Sequence, residues 1–507
     1  MDPKENTEKH SQQNGEKTPE TKPIPRDHIV ETKHSITIGG REIRYTATVG
    51  TIILKEEAEK KGEKAGEFEG EKAKASIFFV AYTRDDIQDK SAFPVTFSFN
   101  GGPGSSSVWL HLGLLGPQRV LMDKDGFPLP PPYKLVNNEH SLLEHTDLVF
   151  IDPVSTGYSR ILPGEKAKEY HNFKKDIESV GDFIRLYTSR YKRWSSPKFL
   201  IGESYGTTRA AGLSGYLQER YGMYLNGLML VSCILNFQTA RFGPGNDMPY
   251  ILFLPTYAAT AWYHKKLPSE LQKDLRATLQ QVEEFASGEY TLALMKGAAL
   301  SGAEGKRIVQ KLANFTGLSE DYIERTDLRI SIQRFVKELL RDERRTVGRL
   351  DSRFKGFDRD SAGEVYEHDP SMSAIMGPYT ATLNDYVRSQ LNFESDLPYE
   401  ILTGRVQPWS FSDYENQFVN VAETLRKAMS INPHLRVFVA NGYYDFATPY
   451  FATEYTFNHL GLDSSLQKNI SMGYYEAGHM MYIHLPSLAR MKSDLSDFIR
   501  SALLGSE

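Results

Sequence analysis

The composition of this chain is that of a globular protein. It has 507 residues, of which 40% are hydrophobic and 25% are charged, and these proportions exclude collagen-like, coiled-coil and mainly disordered proteins. Its 60 Lys and Arg against 65 Asp and Glu leave a formal net charge of −5, which provides no overall attraction to nucleic acid or to an anionic membrane. The single cysteine, Cys233, cannot form an intramolecular disulfide, and its apolar flanks predict a buried packing role.

The first residues of the chain are polar. No aliphatic residue precedes Ile24, so the segment 1–32 is predicted to be a disordered tail. A secretory leader and a membrane span both need an apolar run, about 18 residues long for a span, and the sequence shows neither. We therefore expect a soluble protein, cytoplasmic as written, or periplasmic or secreted if Met1 replaces a removed leader. Its compartment and its oligomeric state stay unknown.

Short apolar segments alternate with helical ones in the first half of the chain. Residues 35–48 alternate around Gly39-Gly40 and predict a β-hairpin. Further strands are predicted at 94–100, 147–152, 198–201 and 225–231, and helices at 169–190 and 207–219. Strands that are apolar throughout are buried on both faces, which is typical of a mostly parallel sheet covered by helices.

Helical patterns then interrupt this alternation before strands return. The helical patterns dominate from about 238 to 394. The sequence therefore predicts one α/β domain in two parts, 33–237 and 395–507, with a helical cap inserted over 238–394. In the second part we expect strands at 435–440 and 469–472 and a helix at 485–503.

One stretch of the insertion is strongly charged. Residues 341–359 carry seven basic residues, which taken alone would suggest a nucleic-acid site. Acidic residues are interleaved with them, so the better prediction is a solvated, salt-bridged face. We expect neither nucleic acid nor a membrane among the partners of this protein.

A candidate nucleophile lies between a predicted strand and a predicted helix. The pentapeptide Gly202-Glu-Ser-Tyr-Gly206 matches the G-x-S-x-G nucleophile elbow. So sharp a turn needs small residues on either side. It exposes the Ser204 hydroxyl at a helix N-terminus, where backbone amides favour developing negative charge. Ser204 is therefore the expected nucleophile.

A serine nucleophile needs a general base and an acid that orients the base, in the chain order serine, acid, histidine for this type of site. His479 lies in a small-residue loop directly after a predicted strand, whereas His459 and His484 are more typical of surface or packing positions. Asp445 also follows a predicted strand. Alone it could equally cap the next helix, but together with Ser204 and His479 it favours a triad.

Catalysis at such a serine also needs two backbone N–H groups that stabilise an oxyanion. Tyr205, which follows the nucleophile, would supply one of them. The loop Asn100-Gly-Gly-Pro-Gly104 would supply the other, because glycine lets the backbone approach the reacting group closely. The alternative for this loop is a simple tight turn, although a turn rarely needs three glycines.

Several segments carry a resemblance to one family. They are Asn100–Ser107, Leu115–Pro117, Asp147–Ser159, Gly202–Gly206, the stretch around Asp445, and Ala477–Met480. With these motifs in this order and spacing, the chain resembles the serine carboxypeptidases, the acid-type carboxypeptidase branch of the α/β-hydrolases. The motif sequences themselves look more like those of the bacterial branch. The resemblance implies an α/β-hydrolase fold, with a mostly parallel central sheet and a helical cap, and a serine-type carboxypeptidase with no metal or organic cofactor.

The resemblance also implies a substrate and the residues that act on it. The substrate would be a peptide with a free C-terminus. Its terminal carboxylate can sit against the carboxyl of Glu203 only if one of the two is protonated, because two charged groups in contact repel. The implied roles are a catalytic triad of Ser204, Asp445 and His479, an oxyanion hole of the Gly102 and Tyr205 amides, and a carboxylate-binding pair of Asn100 and Glu203.

The chain departs from the family pattern at several positions. Leu114 stands where a second glutamate usually shares a proton with the first, and Ser98 stands where tryptophan is usual. Met481-Tyr482 follow the histidine motif where Val-Pro is common. Because the second acid is missing, strict C-terminal selectivity is less expected than nucleophilic hydrolysis itself.

Two alternatives stay open for the function. An esterase or acyltransferase could use the same triad, and a comparison of N-blocked dipeptides with simple esters would distinguish it. A non-catalytic binding protein on this fold is the alternative from another class. It is disfavoured because the three triad positions and the glycine loop are all intact.

Overall fold

A computed structural model describes residues 26–60 and 66–504 of the chain. The described residues begin in a long antiparallel hairpin. Its strands are β1 (His28–Ile38) and β2 (Arg41–Glu59), and their register places Ile38 opposite Arg41. This pairing confirms the hairpin that the sequence predicts around Gly39-Gly40.

The first strand changes the extent of the expected tail. Because β1 begins at His28, a disordered tail over 1–32 is wrong for its last residues, 28–32. Backbone pairing with β2 orders this polar stretch, and composition alone carries no sign of such pairing. Residues 1–25, the rest of the predicted tail, lie outside the described residues.

Most strands of the described chain join one mixed sheet. After β2 they are β3 (Phe68–Arg84), β4 (Val95–Phe99), β5 (Gln118–Val120), β6 (Leu135–Asn137), β7 (Asp147–Ile151), β8 (Arg160–Ile161), β9 (Lys198–Ser204), β10 (Gly227–Cys233), β11 (Thr346–Val347), β12 (Lys355–Gly356), β13 (Arg436–Gly442) and β14 (Ile470–Tyr475). Ten strands form the sheet in the order β1-β2-β3-β7-β4-β9-β10-β13-β14, with β8 beside β3. From β7 to β14 every neighbouring pair is parallel.

Helices cover both faces of this sheet. They are α1 (Val108–Leu110), α2 (Phe173–Arg190), α3 (Tyr205–Tyr221), α4 (Met248–Tyr263), α5 (Leu275–Phe285), α6 (Thr291–Lys296), α7 (Gly302–Thr316), α8 (Glu320–Arg325), α9 (Ile332–Glu338), α10 (Pro370–Ser389), α11 (Ala422–Ile431), α12 (Tyr450–Asn458), α13 (Ser464–Gln467) and α14 (Leu485–Leu503). Helices α2, α3 and α11 pack on one face, and α10 and α14 on the other. Within the described ranges, no helix combines the length and apolarity that crossing a bilayer requires.

The parallel strands contribute side chains to both faces in alternation. In β9, Phe199 and Ile201 belong to the core on the α14 side, and Leu200 belongs to the core under α2 and α3. Such a strand is apolar at every position because neither face meets water. The prediction of a mostly parallel sheet buried on both faces is confirmed.

The helical insertion packs around a third core, which Tyr444, Phe446 and Tyr450 of the sheet domain also join. Helices α4 to α9 lie between β10 and β13 and pack around residues such as Leu279, Leu312 and Phe335. Helix α10 also falls inside the predicted cap, 238–394, yet its buried Tyr379 and Leu383 join the core of the sheet on the α14 side. A helical pattern does not reveal which core a helix joins. We therefore propose the predicted division of the chain with a cap that ends before α10.

Four loops meet at the carboxyl ends of the parallel strands. Parallel strands present these ends at a single edge, which is where ligands bind in open α/β sheets. The sheet order therefore brings together residues that are far apart in the sequence. At this edge Asn100 follows β4, Ser204 ends β9, Asp445 follows β13 and His479 follows β14.

Candidate active site

Ser204 occupies the strained turn that the elbow motif predicts. Its backbone φ is 60° and its ψ is −129°. Residues other than glycine rarely adopt this conformation, and where they do they are often at functional sites. A Cβ on Gly202 would lie 2.1 Å from the carbonyl oxygen of Gly206, so only glycine fits there. The Ser204 hydroxyl caps no backbone amide of α3.

The glycine loop packs directly against this turn. A Cβ on Gly101 would lie 2.4 Å from the backbone nitrogen of Tyr205, which shows how closely the two backbones approach. Gly102 has a φ of +104°, in the region that favours glycine. Gly102 and Tyr205, whose amides the sequence analysis assigns to an oxyanion hole, therefore lie close together, and both line the same cavity as Ser204.

His479 and Asp445 form a buried pair. The Nδ1 atom of His479 lies 2.7 Å from Oδ2 of Asp445. The same carboxylate accepts hydrogen bonds from the Ala447 amide at 2.7 Å, the Thr448 amide at 3.1 Å and the Thr448 hydroxyl at 2.7 Å. Burial by itself lowers the pKa of His479. The Asp445 carboxylate outweighs this effect, so the pKa lies above its usual value. Asp445 thus both caps its own turn and contacts the histidine.

The loop that carries His479 is held from behind by the end of the insertion. The His479 amide donates to the carbonyl oxygen of Leu350 at 2.6 Å, and the Gly478 amide donates to Oδ2 of Asp351 at 3.1 Å. Asp351 also forms an ion pair with Arg353, at 2.6 Å, and both side chains are almost fully buried. The prediction that 341–359 is a solvated face is wrong here, because interleaved charges can also pair inside a protein.

The Glu203 carboxyl is buried and hydrogen-bonded on both oxygens. The Asn100 amide donates to Oε1 at 3.0 Å, and the Tyr482 hydroxyl donates to Oε2 at 2.5 Å. Burial raises the pKa of Glu203 to about 7. Leu114, which replaces the second acid of the family pattern, lies in the apolar core. Tyr482 is therefore a hydrogen-bond partner of Glu203 that the family pattern does not include.

These groups surround one cavity of about 400 Å³. Of the seven residues singled out from the sequence, five line it and two, Asn100 and Asp445, lie behind the wall. Other segments of the sheet domain contribute more of the wall, for example Trp109 and Leu402, and the insertion and α10 add mostly apolar residues. Their lining residues include Phe253, Ile332, Arg349, Leu350, Met372 and Ile375.

Sequence reasoning missed three residues of this site. Thr448 lies three residues after Asp445, where a hydroxyl next to a turn-forming aspartate is a recognisable local pattern. Tyr482 had a signal as well, since it stands at a departure from the family pattern. Arg349 had none, because its place in the cavity depends on how the insertion folds back over the sheet.

One group of side chains in the described ranges could hold a metal ion. It consists of Asp358, Glu367 and His368, none of which lines the cavity. Lys337 already forms an ion pair with Asp358 at 2.7 Å, and the Thr346 hydroxyl donates to the same carboxylate. The Lys337 and Asp358 side chains are almost fully buried, so this carboxylate is already paired with a cation at a place apart from the cavity.

Family membership follows from a comparison with known proteins. The family model of the serine carboxypeptidases matches residues 60–481 of the chain. The chain belongs to the serine carboxypeptidase family. The resemblance inferred from the motifs is therefore confirmed, and the match includes the insertion as well as both parts of the sheet domain.

Curated carboxypeptidases match this chain over short segments. The pheromone-processing carboxypeptidase KEX1 of Saccharomyces cerevisiae is 34% identical over 135 residues, which is 25% of this chain and 17% of the relative. A carboxypeptidase Y homolog of Arthroderma benhamiae is 29% identical over 143 residues, which is 28% of this chain and 26% of the relative. The chain thus spans about a quarter or less of the curated relatives that it matches.

A solved structure resembles the whole fold. The crystal structure of KEX1, a prohormone-processing carboxypeptidase from Saccharomyces cerevisiae, superposes with a TM-score of 0.52 at 17% sequence identity. The superposition covers 90% of this chain and 91% of that chain. At this identity the likeness concerns the fold alone, and it confirms the predicted α/β-hydrolase fold.

The three C-terminal histidines provide a test of the base. His479→Ala should reduce kcat/KM for a peptide substrate about as severely as loss of the serine, because no other imidazole of residues 26–60 and 66–504 is paired with Asp445. His459 stacks on Tyr455 at an exposed helix end, and His484 contacts Ser487. His459→Ala and His484→Ala should therefore keep most activity. Steady-state kinetics of the three purified variants check this, and an inactive His484→Ala beside an active His479→Ala would contradict the assignment.

Proposed function

We propose that this protein is a serine carboxypeptidase that removes residues from the C-terminus of peptides. Ser204 attacks the last peptide carbonyl while His479 takes the hydroxyl proton and then gives it to the departing amine. Water then attacks the acyl-enzyme ester and its proton passes to His479, which returns it to the Ser204 oxygen as the ester bond breaks. Asp445 holds the imidazole in the required tautomer. The observation that carries this proposal is the arrangement of Ser204 and His479 at one cavity, with His479 Nδ1 2.7 Å from Asp445.

We propose further that the pair of Glu203 and Asn100 recognises the terminal carboxylate of the peptide, with Glu203 at the cavity wall and Asn100 behind it, bound to Oε1 of Glu203. Glu203 lies beside the nucleophile in the chain and lines the same cavity. With its pKa raised to about 7 by burial, its carboxyl is protonated at acidic pH and can donate a hydrogen bond to a carboxylate. Tyr482 and Asn100 hold both oxygens of Glu203 in place, so Tyr482 would orient this group where the family usually has a second acid.

An esterase or acyltransferase on the same triad is the second candidate. The observation that favours it is Leu114, whose apolar side chain occupies the core where a second carboxyl is expected. Without that carboxyl, recognition of a C-terminus depends on Glu203, Asn100 and Tyr482. The test of the proposal is therefore whether cleavage requires a free C-terminal carboxylate and whether Glu203 binds that carboxylate.

Glu203→Gln separates these possibilities. In the wild type, KM for a peptide with a free C-terminus should rise as pH increases through about 7, because ionised Glu203 repels the substrate carboxylate. Glutamine keeps a donor and has no charge, so the variant should lose this rise. An amidated peptide should show nearly the same KM in both proteins. The measurement is KM against pH from 5 to 9, for both peptides and both proteins.

Glu454→Gln is a matched control for this experiment. Glu454 is also partly buried and accepts a hydrogen bond from a tyrosine, Tyr474, at 2.6 Å, and burial raises its pKa. It does not line the cavity, so its replacement should leave the pH dependence of KM unchanged. If amidated and free peptides are cleaved equally well at every pH, Glu203 does not read a carboxylate and the esterase candidate is favoured.

A further inference from the structure

Two arginines of the cavity wall come from the insertion and its boundary. Arg241 lies between a short turn and α4, and Arg349 follows β11. The backbone of Arg349 is fixed on both sides, since its amide donates to Asp369 Oδ1 at 3.0 Å and its carbonyl accepts the Phe446 amide at 3.1 Å. The guanidinium charge lies near enough to His479 to oppose the rise in the pKa of that imidazole. Arg349 is thus held close to the reacting groups.

Both guanidinium groups have hydrogen-bond donors without a partner in the described residues, although that of Arg241 is exposed and lies over the Phe237 ring, 5.8 Å from its centroid. No side-chain hydrogen bond or ion pair joins Arg241 or Arg349 to another described group, although Arg349 is half-buried. Other arginines near the insertion are paired, for example Arg353 with Asp351 and Arg329 with Asp247. A half-buried guanidinium with unused donors at a cavity wall is suited to an anion that enters the cavity.

Two carboxyl groups near Arg349 accept hydrogen bonds from donors other than its guanidinium. Asp369 accepts the backbone amides of Arg349 and Leu350. Glu203 lines the cavity but is bound to Asn100 and Tyr482. Neither carboxyl group forms an ion pair with Arg349 in the described residues, so the Arg349 guanidinium donors are available to an acidic group that enters the cavity.

We propose that Arg349, which shares the cavity wall with Arg241, is a specificity-determining residue that binds an acidic side chain of the substrate next to the scissile bond. This inference rests on the proposed peptidase function. Arginine binds carboxylates through two parallel hydrogen bonds, which lysine cannot reproduce. A peptide brings at most two kinds of carboxylate to the site. The terminal one is assigned to Glu203 and Asn100, which leaves an aspartate or glutamate side chain for Arg349.

The test uses N-blocked dipeptides that carry Glu or Gln either at the last or at the penultimate position. The wild type should prefer Glu over Gln at one of the two positions, which identifies the subsite. In Arg349→Gln the ratio of kcat/KM for Glu to that for Gln at this position should fall about tenfold or more, as expected for loss of a charge-assisted hydrogen bond. Arg349→Lys should keep part of the ratio.

Arg325→Gln is the control for a general loss of positive charge. Arg325 lies on α8 in an exposed pair with Asp321, and its replacement should leave the ratio at the wild-type value. If Arg349→Gln does not fold, as judged by thermal unfolding, inhibition of the wild type gives a second measurement. N-blocked glutamate should then inhibit more strongly than N-blocked glutamine.

The outcomes distinguish this inference from the function on which it rests. An equal preference for Glu and Gln at both positions in the wild type, together with equal inhibition, would overturn the inference and leave the carboxypeptidase proposal intact. A loss of preference for free over amidated peptides in Arg349→Gln would assign Arg349 to the terminal carboxylate instead. A wild type that reacts with a serine-directed reagent but hydrolyses none of the dipeptides would overturn the proposed function itself.

Discussion

Ser204→Ala should lower kcat for a blocked dipeptide by several orders of magnitude. The hydroxyl is the only group in the proposed mechanism that forms a bond to the substrate, and the variant keeps only what the oxyanion hole and binding provide, which in triad mutants is roughly 10³–10⁴ over the reaction in water. A fluorophosphonate reagent should label the wild type once per chain and should not label Ser204→Ala. Turnover and labelling stoichiometry, measured by mass spectrometry, are the two measurements.

The control for this variant is another serine at a helix boundary. Ser389 ends α10 and its hydroxyl donates to the carbonyl oxygen of Asp385, so Ser389→Ala should keep full activity and full labelling. A Ser204→Ala protein with wild-type turnover would refute the proposed mechanism. Labelling at a different serine would place the nucleophile elsewhere in the chain.

Asp445→Asn should lower kcat by up to about 10⁴ while the protein stays folded. Asparagine has nearly the same volume and keeps one oxygen for the amides of Ala447 and Thr448. Its amide group, however, donates a hydrogen bond towards Nδ1 of His479, which favours the tautomer that cannot accept the serine proton. Steady-state kinetics and thermal unfolding of the variant separate the loss of activity from a loss of stability.

Asp463→Asn is a matched control. It changes an aspartate that caps a turn without contacting a histidine, and so it separates the effect of the turn on kcat from that of the histidine contact. Asp463 also accepts from the backbone two residues ahead, through its contact with Ser465 at 2.9 Å, but it contacts no histidine in the described chain. Its replacement should leave kcat unchanged. If Asp445→Asn kept activity within tenfold of the wild type, Asp445 would be a capping residue only.

Much of the fold follows from local sequence patterns. The strands predicted at 147–152 and 198–201 correspond to β7 and β9, and the helix predicted at 485–503 is α14. These elements are predictable because a strand buried on two faces and a helix with one apolar side have characteristic spacings of apolar residues. The strand at 28–32 escaped prediction because its order depends on pairing with β2, which composition does not reveal.

The candidate residues were also found from the sequence, since each lies at the end of a strand in a small-residue loop. Ser204, Asp445 and His479 could be named without the structure because parallel strands bring their carboxyl ends to one edge of the sheet. Their roles in catalysis stay predictions until the variants above are measured. The motifs that contain these residues are those on which the resemblance to the serine carboxypeptidases depends, and the chain belongs to that family.

The amino-acid sequence by itself predicted the fold class and the family and named candidate residues for the elbow and its partners, because alternating strands and helices and short motifs are visible along the chain. Only the tertiary structure decided that Tyr482 holds Glu203, that Asp351 and Arg353 form a buried pair behind His479, and that Arg349 lines the cavity. These contacts join residues up to 279 positions apart. They depend on how the insertion and the loop after β14 pack over the edge of the sheet. Charge patterns along the chain, in addition, do not distinguish a buried ion pair from a solvated one.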